Sequence, residues 1–205
     1  MLIGYLNPPN LVTLTGMIFA LAAGMLAMRG YLGFAMVGLI VAGICDLFDG
    51  FVARRSEITP EEQAFGAELD SLNDVVCFGL LPVVLLDSWL HSVWIFPVYA
   101  VYLIAVLFRL AWFNIYGVEA DAEGSGSYTG LPVTYAALAL PLTALLAAWV
   151  PMLKLPVLLG TLLALAGLYV YKLPIPKPAG KAYIAFPVMA LLVSLLWLWQ
   201  PWGRL

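Results

Sequence analysis

Asp46-Leu47-Phe48-Asp49-Gly50-Phe51-Val52-Ala53-Arg54 and, after eleven further residues, Gly66-Ala67-Glu68-Leu69-Asp70-Ser71-Leu72-Asn73-Asp74 place four carboxylates in or beside strongly apolar sequence. An ionised carboxylate in such surroundings is costly unless it is paired or binds a metal. On a helix, Asp46 and Asp49 are three apart and share a face. Asp70 and Asp74 are four apart and share another. Two helices with those faces turned together would gather the four around one point, an oxygen-rich cage for Mg²⁺ or a similar hard cation.

The composition puts this pair of helices in a membrane. The chain has 205 residues, of which 64% are hydrophobic and 10% charged. A soluble domain carries about 25% charged residues. The expected fold is all-α: one polytopic helical bundle over residues 1–205, a single transmembrane domain with about six to eight spans. A net charge of −3 without a basic stretch gives no sign of a nucleic-acid partner. Residues 1–10 hold no Lys or Arg ahead of the first apolar run, so that run reads as a retained span. Cys45 and Cys77 fit no metal spacing and read as small packing residues.

Outward from the acidic pair, the helix ends are written in the sequence. Thr59-Pro60-Glu61-Glu62 reads as a start: Thr59 as N-cap, Pro60 in the first turn and Glu62 completing a capping box. The connection to the preceding helix then shrinks to Arg55–Ile58, which makes the two helices antiparallel neighbours. The third helix is expected to reach about Leu86, with Asp87–Ser92 as a polar link holding the only histidine, His91. Upstream, Asn10 reads as the cap of a first span to about Met28, and Arg29-Gly30 as a turn. Asp46 lies eight residues before Arg54, roughly 12 Å along a helix, inside the membrane boundary but not at its centre. Further spans are expected at about 93–116, 133–150, 155–171 and 182–199, seven in all. Arg109 lies within the fourth. Glu119, Asp121 and Glu123 read as a flexible solvated loop, Lys172–Lys181 as a stiff basic one, and Trp197, Trp199 and Trp202 as an interfacial group.

The fixed positions Asp46, Asp49, Gly50, Ala53, Arg54, Gly66, Asp70 and Asp74 match D-x-x-D-G-x-x-A-R followed by G-x-x-x-D-x-x-x-D. By them the chain resembles the CDP-alcohol phosphatidyltransferase family. The family usually has eight or nine residues between the two halves, where this chain has eleven. The resemblance extends to Pro9, Asn10 and Thr13, similar to a P-N-x-x-T element that approaches the nucleotide. Asn10 and Thr13 also read simply as a helix cap and a hydroxyl bonded to its own backbone. Phe65–Gly79, Arg109-Leu110-Ala111-Trp112-Phe113-Asn114 and Gly130-Leu131-Pro132 are similar to elements of the phosphatidylserine synthase branch. Cys77 stands where that branch has serine, and Trp112 where it has arginine.

The resemblance implies transfer of a phosphatidyl group from CDP-diacylglycerol to an alcohol, L-serine in that branch, with release of CMP. It also implies Mg²⁺ or Mn²⁺ on Asp46, Asp49, Asp70 and Asp74, with Asp74 as base for the acceptor hydroxyl, and a homodimer. Arg54 can add charge-assisted hydrogen bonds to a diphosphate, and the small Gly50 and Ala53 let a nucleotide approach the backbone. Asn10, Thr13, Gly50, Ala53, Arg54 and Gly66 form the expected CDP-lipid set. Arg109 and Asn114 form an expected acceptor set. Arg109 also reads as a structural partner of a motif carboxylate, and Asn114 as a helix cap.

A rival from another class is a cation transporter with an acidic intramembrane site. Such sites usually lie near the midplane between inverted repeats, whereas this one is near one face and no repeat is visible. Arg54, Arg55, Lys172, Lys177 and Lys181 fall on the side of the acidic pair, against Arg29, Lys154 and Arg204 on the other. That bias makes the expected location a cell membrane with the site on the cytoplasmic side.

Overall fold

The computed structural model describes residues 4–117, 127–176 and 182–199. Helix α1 is Pro8–Ala27 and α2 is Leu32–Ala53. The cap of α1 is Asn7, three residues earlier than expected, its side chain accepting the Asn10 N–H at 3.1 Å. Pro8 and Pro9 explain the shift: their fixed φ suits a first turn, where no N–H is needed. The turn after α1 runs through Gly30 at φ +81°, where glycine is the unstrained choice. Helices α1 and α2 pack along a seam of small residues that includes Ala20, Ala23, Gly38 and Ala42. A Cβ added to Gly38 would lie 2.7 Å from that of Ala23. Close backbone approach through small residues is how helices associate where lipid removes the hydrophobic drive.

Helix α3, Pro60–Asp74, starts with the expected capping box: Thr59 N–H bonds Glu62 Oε2 at 2.8 Å, and Glu62 N–H bonds Thr59 Oγ1 at 3.3 Å. A π-helical segment, Val75–Leu80, follows Asp74 and leads into α4, Leu81–Leu90. The whole is one apolar helix of 31 residues. It runs a turn past the expected end and takes up Asp87 and Ser88, so only the region of His91, at φ 48°, remains as the link. Helix α5 is Phe96–Trp112, entered by the 3-10 turn Val93–Ile95 and left by the π turn Phe113–Gly117. The acidic stretch with Glu119, Asp121 and Glu123 lies outside the described residues.

Helix α6, Ala136–Trp149, is entered by the 3-10 turn Val133–Tyr135, α7 is Lys154–Val170, and α8 is Ala182–Trp199. Two stretches expected as loops pair instead. Strand β1, Ser127–Thr129, runs antiparallel to β2, Pro174–Pro176, with Tyr128 opposite Ile175. Prolines at both ends of β2 give no donors, which keeps the ribbon short. Lys177 and Lys181 lie outside the described residues.

All seven expected runs are helices. Five are long and apolar enough to cross a membrane, and two, Val133–Trp149 and Ala185–Trp199, are shorter. The fold is that of an all-α polytopic membrane protein. Its buried side includes Met36, Leu39, Phe78, Leu85, Tyr102, Leu140 and Leu158, while Ile18, Leu21, Phe108, Leu191 and Leu192 face outward. Trp197 departs from the interfacial expectation. It is buried, and its Nε1 donates to Pro141 O at 3.0 Å, tying α8 to α6. Trp199 is exposed, and Trp202 lies outside the described residues.

Candidate metal centre and cavity

The tight α2–α3 connection brings the two acidic faces together. Asp46, Asp49 and Asp70 each offer a carboxylate oxygen, and these oxygens lie within 4.8 Å of one another. Asp74, one turn beyond Asp70, turns its carboxyl group toward Asp46. Thr13 reaches across from α1: its hydroxyl donates to Asp49 Oδ2 at 2.7 Å, with Pro9 O further off at 3.2 Å. Thus Thr13 is both the backbone-bonded hydroxyl and a contact of the acidic site.

Two oxygens are left over. Asp70 Oδ1 and Asp74 Oδ1 are buried without a hydrogen-bond partner. Asp49 and Asp74 are each only 7% exposed. Converging carboxylates repel, and a buried acceptor without a donor costs about 1–3 kcal/mol. A divalent cation relieves both penalties, and an all-oxygen donor set suits a hard one. The residues therefore fit a hard divalent cation.

A cavity of about 360 Å³ opens on this cluster. Asp46, Asp49, Asp70, Asp74, Gly50 and Arg54 line it together with Arg109, Phe113 and the turn Pro132–Tyr135. Phe186, Pro187 and Ala190 of α8 close its apolar side. Arg54 lies beside Gly50, its Nη1 3.4 Å from where a Cβ would stand.

The expected CDP-lipid set divides. Gly50 and Arg54 line the cavity with the carboxylates. Asn10 and Gly66 meet where α1 crosses α3, outside the cavity lining, and Thr13, one turn along α1 and also outside it, is joined to the site through Asp49. Asn10 is buried, its Nδ2 donates to Tyr5 O at 2.8 Å, and its Oδ1 would stand 2.9 Å from a Cβ on Gly66. Ala53, the last residue of α2, is half-buried.

The expected acceptor pair divides too. Arg109 is 4% exposed and lines the cavity, with Nε donating to Leu131 O at 2.9 Å and Nη2 to Gly130 O at 3.4 Å. Asn114 is not among the cavity residues and accepts from Ser71 Oγ at 2.9 Å. Cys77 packs in the core, its thiol donating to Asn73 Oδ1. Behind Asp74, the Tyr102 hydroxyl donates to Phe78 O within the π-helical segment at 2.6 Å, and Tyr169 donates to Val133 O at 3.1 Å. Sequence reasoning missed Thr134, Tyr135 and the α8 side chains. The Gly130-Leu131-Pro132 element pointed to the first two, but no sequence signal marked the third group.

A family profile described as CDP-alcohol phosphatidyltransferase matches residues 6–202. The chain is similar to an archaetidylserine synthase of Methanothermobacter thermautotrophicus, 29% identical over 131 residues, covering 63% of this chain and 54% of that one. It is similar to a CDP-diacylglycerol–serine O-phosphatidyltransferase of Methanocaldococcus jannaschii, 36% identical over 97 residues, covering 47% and 43%. A protein of the same description from Helicobacter pylori is 32% identical over 143 residues, covering 67% and 57%. The chain spans about half the length of the curated relatives it matches.

Proposed function

This chain belongs to the CDP-alcohol phosphatidyltransferase family, and from that premise we propose that it transfers a phosphatidyl group from CDP-diacylglycerol to the hydroxyl of L-serine, releasing CMP. The observation that carries the reading is the convergence of Asp46, Asp49 and Asp70 beside the unpartnered, buried Oδ1 of Asp74. The names of the relatives support serine as acceptor.

In this reading Asp46, Asp49, Asp70 and Asp74 hold Mg²⁺ or Mn²⁺. When bound, the ion neutralises diphosphate charge and polarises the phosphorus. Arg54, laid along Gly50, hydrogen-bonds the diphosphate. Asn10, Thr13, Ala53 and Gly66 shape the approach of the nucleotide. Asp74 accepts the proton of the acceptor hydroxyl as its oxygen bonds to the phosphatidyl phosphorus. The bond from that phosphorus to the CMP oxygen breaks, and CMP leaves. Arg109, which lines the cavity, and Asn114, bonded to Ser71 outside the lining, form the acceptor set. The chain works as one transmembrane domain, with the site on the cytoplasmic side of the cell membrane and a second copy as its partner in a homodimer.

CMP release from CDP-diacylglycerol tests the reading with serine, glycerol 3-phosphate, inositol phosphate and choline in turn. Release with serine supports it. Release with another alcohol alone moves the acceptor within the family. No release with any alcohol, with cation flux into liposomes instead, favours a transporter.

A further inference from the structure

Asp74 is followed at once by the widened part of its helix, and a proline explains the widening. Pro82 is buried inside the apolar helix Pro60–Leu90. It has no N–H, so the Phe78 carbonyl four residues back has no α-helical donor. The proline ring would also collide with that carbonyl if the ladder ran on unchanged. The segment Val75–Leu80 opens instead, and the Leu81 N–H bonds Val76 O, five residues back.

The donor that Pro82 withholds comes from α5. The Tyr102 hydroxyl donates to Phe78 O at 2.6 Å, and both residues are fully buried. Gly79 lets α5 come this close: a Cβ there would lie 3.0 Å from Leu103 Cδ1 and 3.2 Å from Val106 Cγ1. Tyr169 of α7 backs the Tyr102 ring, with centroids 6.0 Å apart, and its own hydroxyl donates to Val133 O.

The opened turn decides where Asp74 points. Asp74 lies seven residues before Leu81 and eleven before Leu85. On an unbroken α-helix the three would share one face. Leu81 and Leu85 pack in the apolar core. Taking up one extra residue turns the part before the segment by about 100° against the part after it, since an α-helix has about 3.6 residues per turn. Asp70 and Asp74 thereby meet the carboxylates of α2 while Leu81 and Leu85 keep the core.

We propose that Tyr102 is a positioning residue for Asp74: by holding Phe78 O it keeps the turn open and fixes the angle at which the Asp74 carboxyl enters the acidic cluster. This rests on the transferase reading above for what Asp74 does, and on the helix geometry for where Tyr102 puts it. Tyr102 is not among the cavity residues and acts through the backbone of the helix that carries Asp74.

Two readouts on the purified full chain test it, each beside the melting temperature. One is Mn²⁺ affinity by equilibrium titration. The other is steady-state CMP release from CDP-diacylglycerol and L-serine at saturating Mn²⁺. The variants are Tyr102→Phe, Pro82→Ala and the two together. Tyr102→Phe keeps the ring and loses the donor. It should lower Mn²⁺ affinity and kcat by about tenfold or more, with the CDP-diacylglycerol KM unchanged. Pro82→Ala leaves the hydroxyl in place and should keep both values. In the double variant the N–H of residue 82 can close the α-helical ladder onto Phe78 O. Its melting temperature should recover, while Mn²⁺ affinity and kcat stay low because Asp74 is turned away. Should Tyr102→Phe fail to fold, the double variant carries the test against Pro82→Ala. Unchanged Mn²⁺ affinity and kcat in Tyr102→Phe, or recovery of kcat together with the melting temperature in the double variant, overturns the positioning role. The same losses in Pro82→Ala alone assign the turn to the proline and overturn it too. A wild type that binds Mn²⁺ but releases no CMP with any alcohol overturns the transferase reading instead, and the Mn²⁺ titrations still decide the role of Tyr102.

Discussion

The Thr13 hydroxyl donates to Asp49 Oδ2 across 2.7 Å, joining the first half of α1 to the acidic face of α2. This bond orients one carboxylate of the cluster from outside it. Groups that orient a metal ligand typically contribute 10–100-fold in metal affinity. Thr13→Val should therefore weaken Mn²⁺ binding by about that factor with the fold intact, measured by equilibrium titration of the purified protein. Unchanged Mn²⁺ affinity would show that Asp49 needs no such support.

Asp74 leaves Oδ1 without a partner, as Asp70 does, but Asp74 is the more buried of the two, at 7% exposed, and lies beside Asp46. Asp74→Asn should keep CDP-lipid binding and lose turnover by about 10² or more, the usual cost of a missing general base. Single-turnover CMP release and a separate lipid-binding assay distinguish the two effects. A variant that keeps most of its turnover rules out Asp74 as the base.

Gly66 and Asn10 touch where α3 crosses α1. A Cβ on Gly66 would stand 2.9 Å from Asn10 Oδ1, closer than real contacts allow. Gly66→Ala should lower the melting temperature and raise the CDP-diacylglycerol KM. Adding Asn10→Ala should recover the melting temperature, because it removes the colliding atom, but not the KM. Equal melting temperatures of wild type and Gly66→Ala would show that the helices part freely at this point.

Gly43 faces Ala137 where α2 meets α6, with room for no further atom: an added Cβ would lie 2.5 Å from that of Ala137. Gly43→Ala should destabilise the protein by about 1–3 kcal/mol, the usual cost of overpacking. Ala137→Gly in the same chain should restore much of it. Thermal unfolding in detergent reads both, and a double variant no better than the single one would place the strain elsewhere.

What the sequence made legible was local. Thr59 and Glu62 announced the start of α3 because a capping box is made by residues three apart. The acidic pairs announced a site because helix geometry puts residues three or four apart on one face. The sequence offers two asparagines as caps, Asn7 and Asn10, and only the placement of Pro8 and Pro9 in the first turn decides for Asn7. The π-helical segment after Asp74 left no local mark beyond the break that Pro82 signals. Its Phe78 carbonyl is met by Tyr102, 24 residues on, and such a partner is chosen by packing. For the same reason Phe186, Pro187 and Ala190 read only as apolar span, although they wall the cavity. Arg109 lies within α5, as the position of an arginine inside an apolar run implies. Its bonds to the Gly130 and Leu131 carbonyls depend on how α5 meets the chain ahead of α6.

In the proposed reaction the carboxylates of α2 and α3 serve a divalent cation in phosphatidyl transfer. CMP release from CDP-diacylglycerol and L-serine, measured in excess chelator and then during titration with Mg²⁺ or Mn²⁺, tests it most directly. No release is expected in chelator and full recovery with either ion, with the recovery curve shifted to higher ion concentration in Asp70→Asn. Full turnover in excess chelator would contradict it.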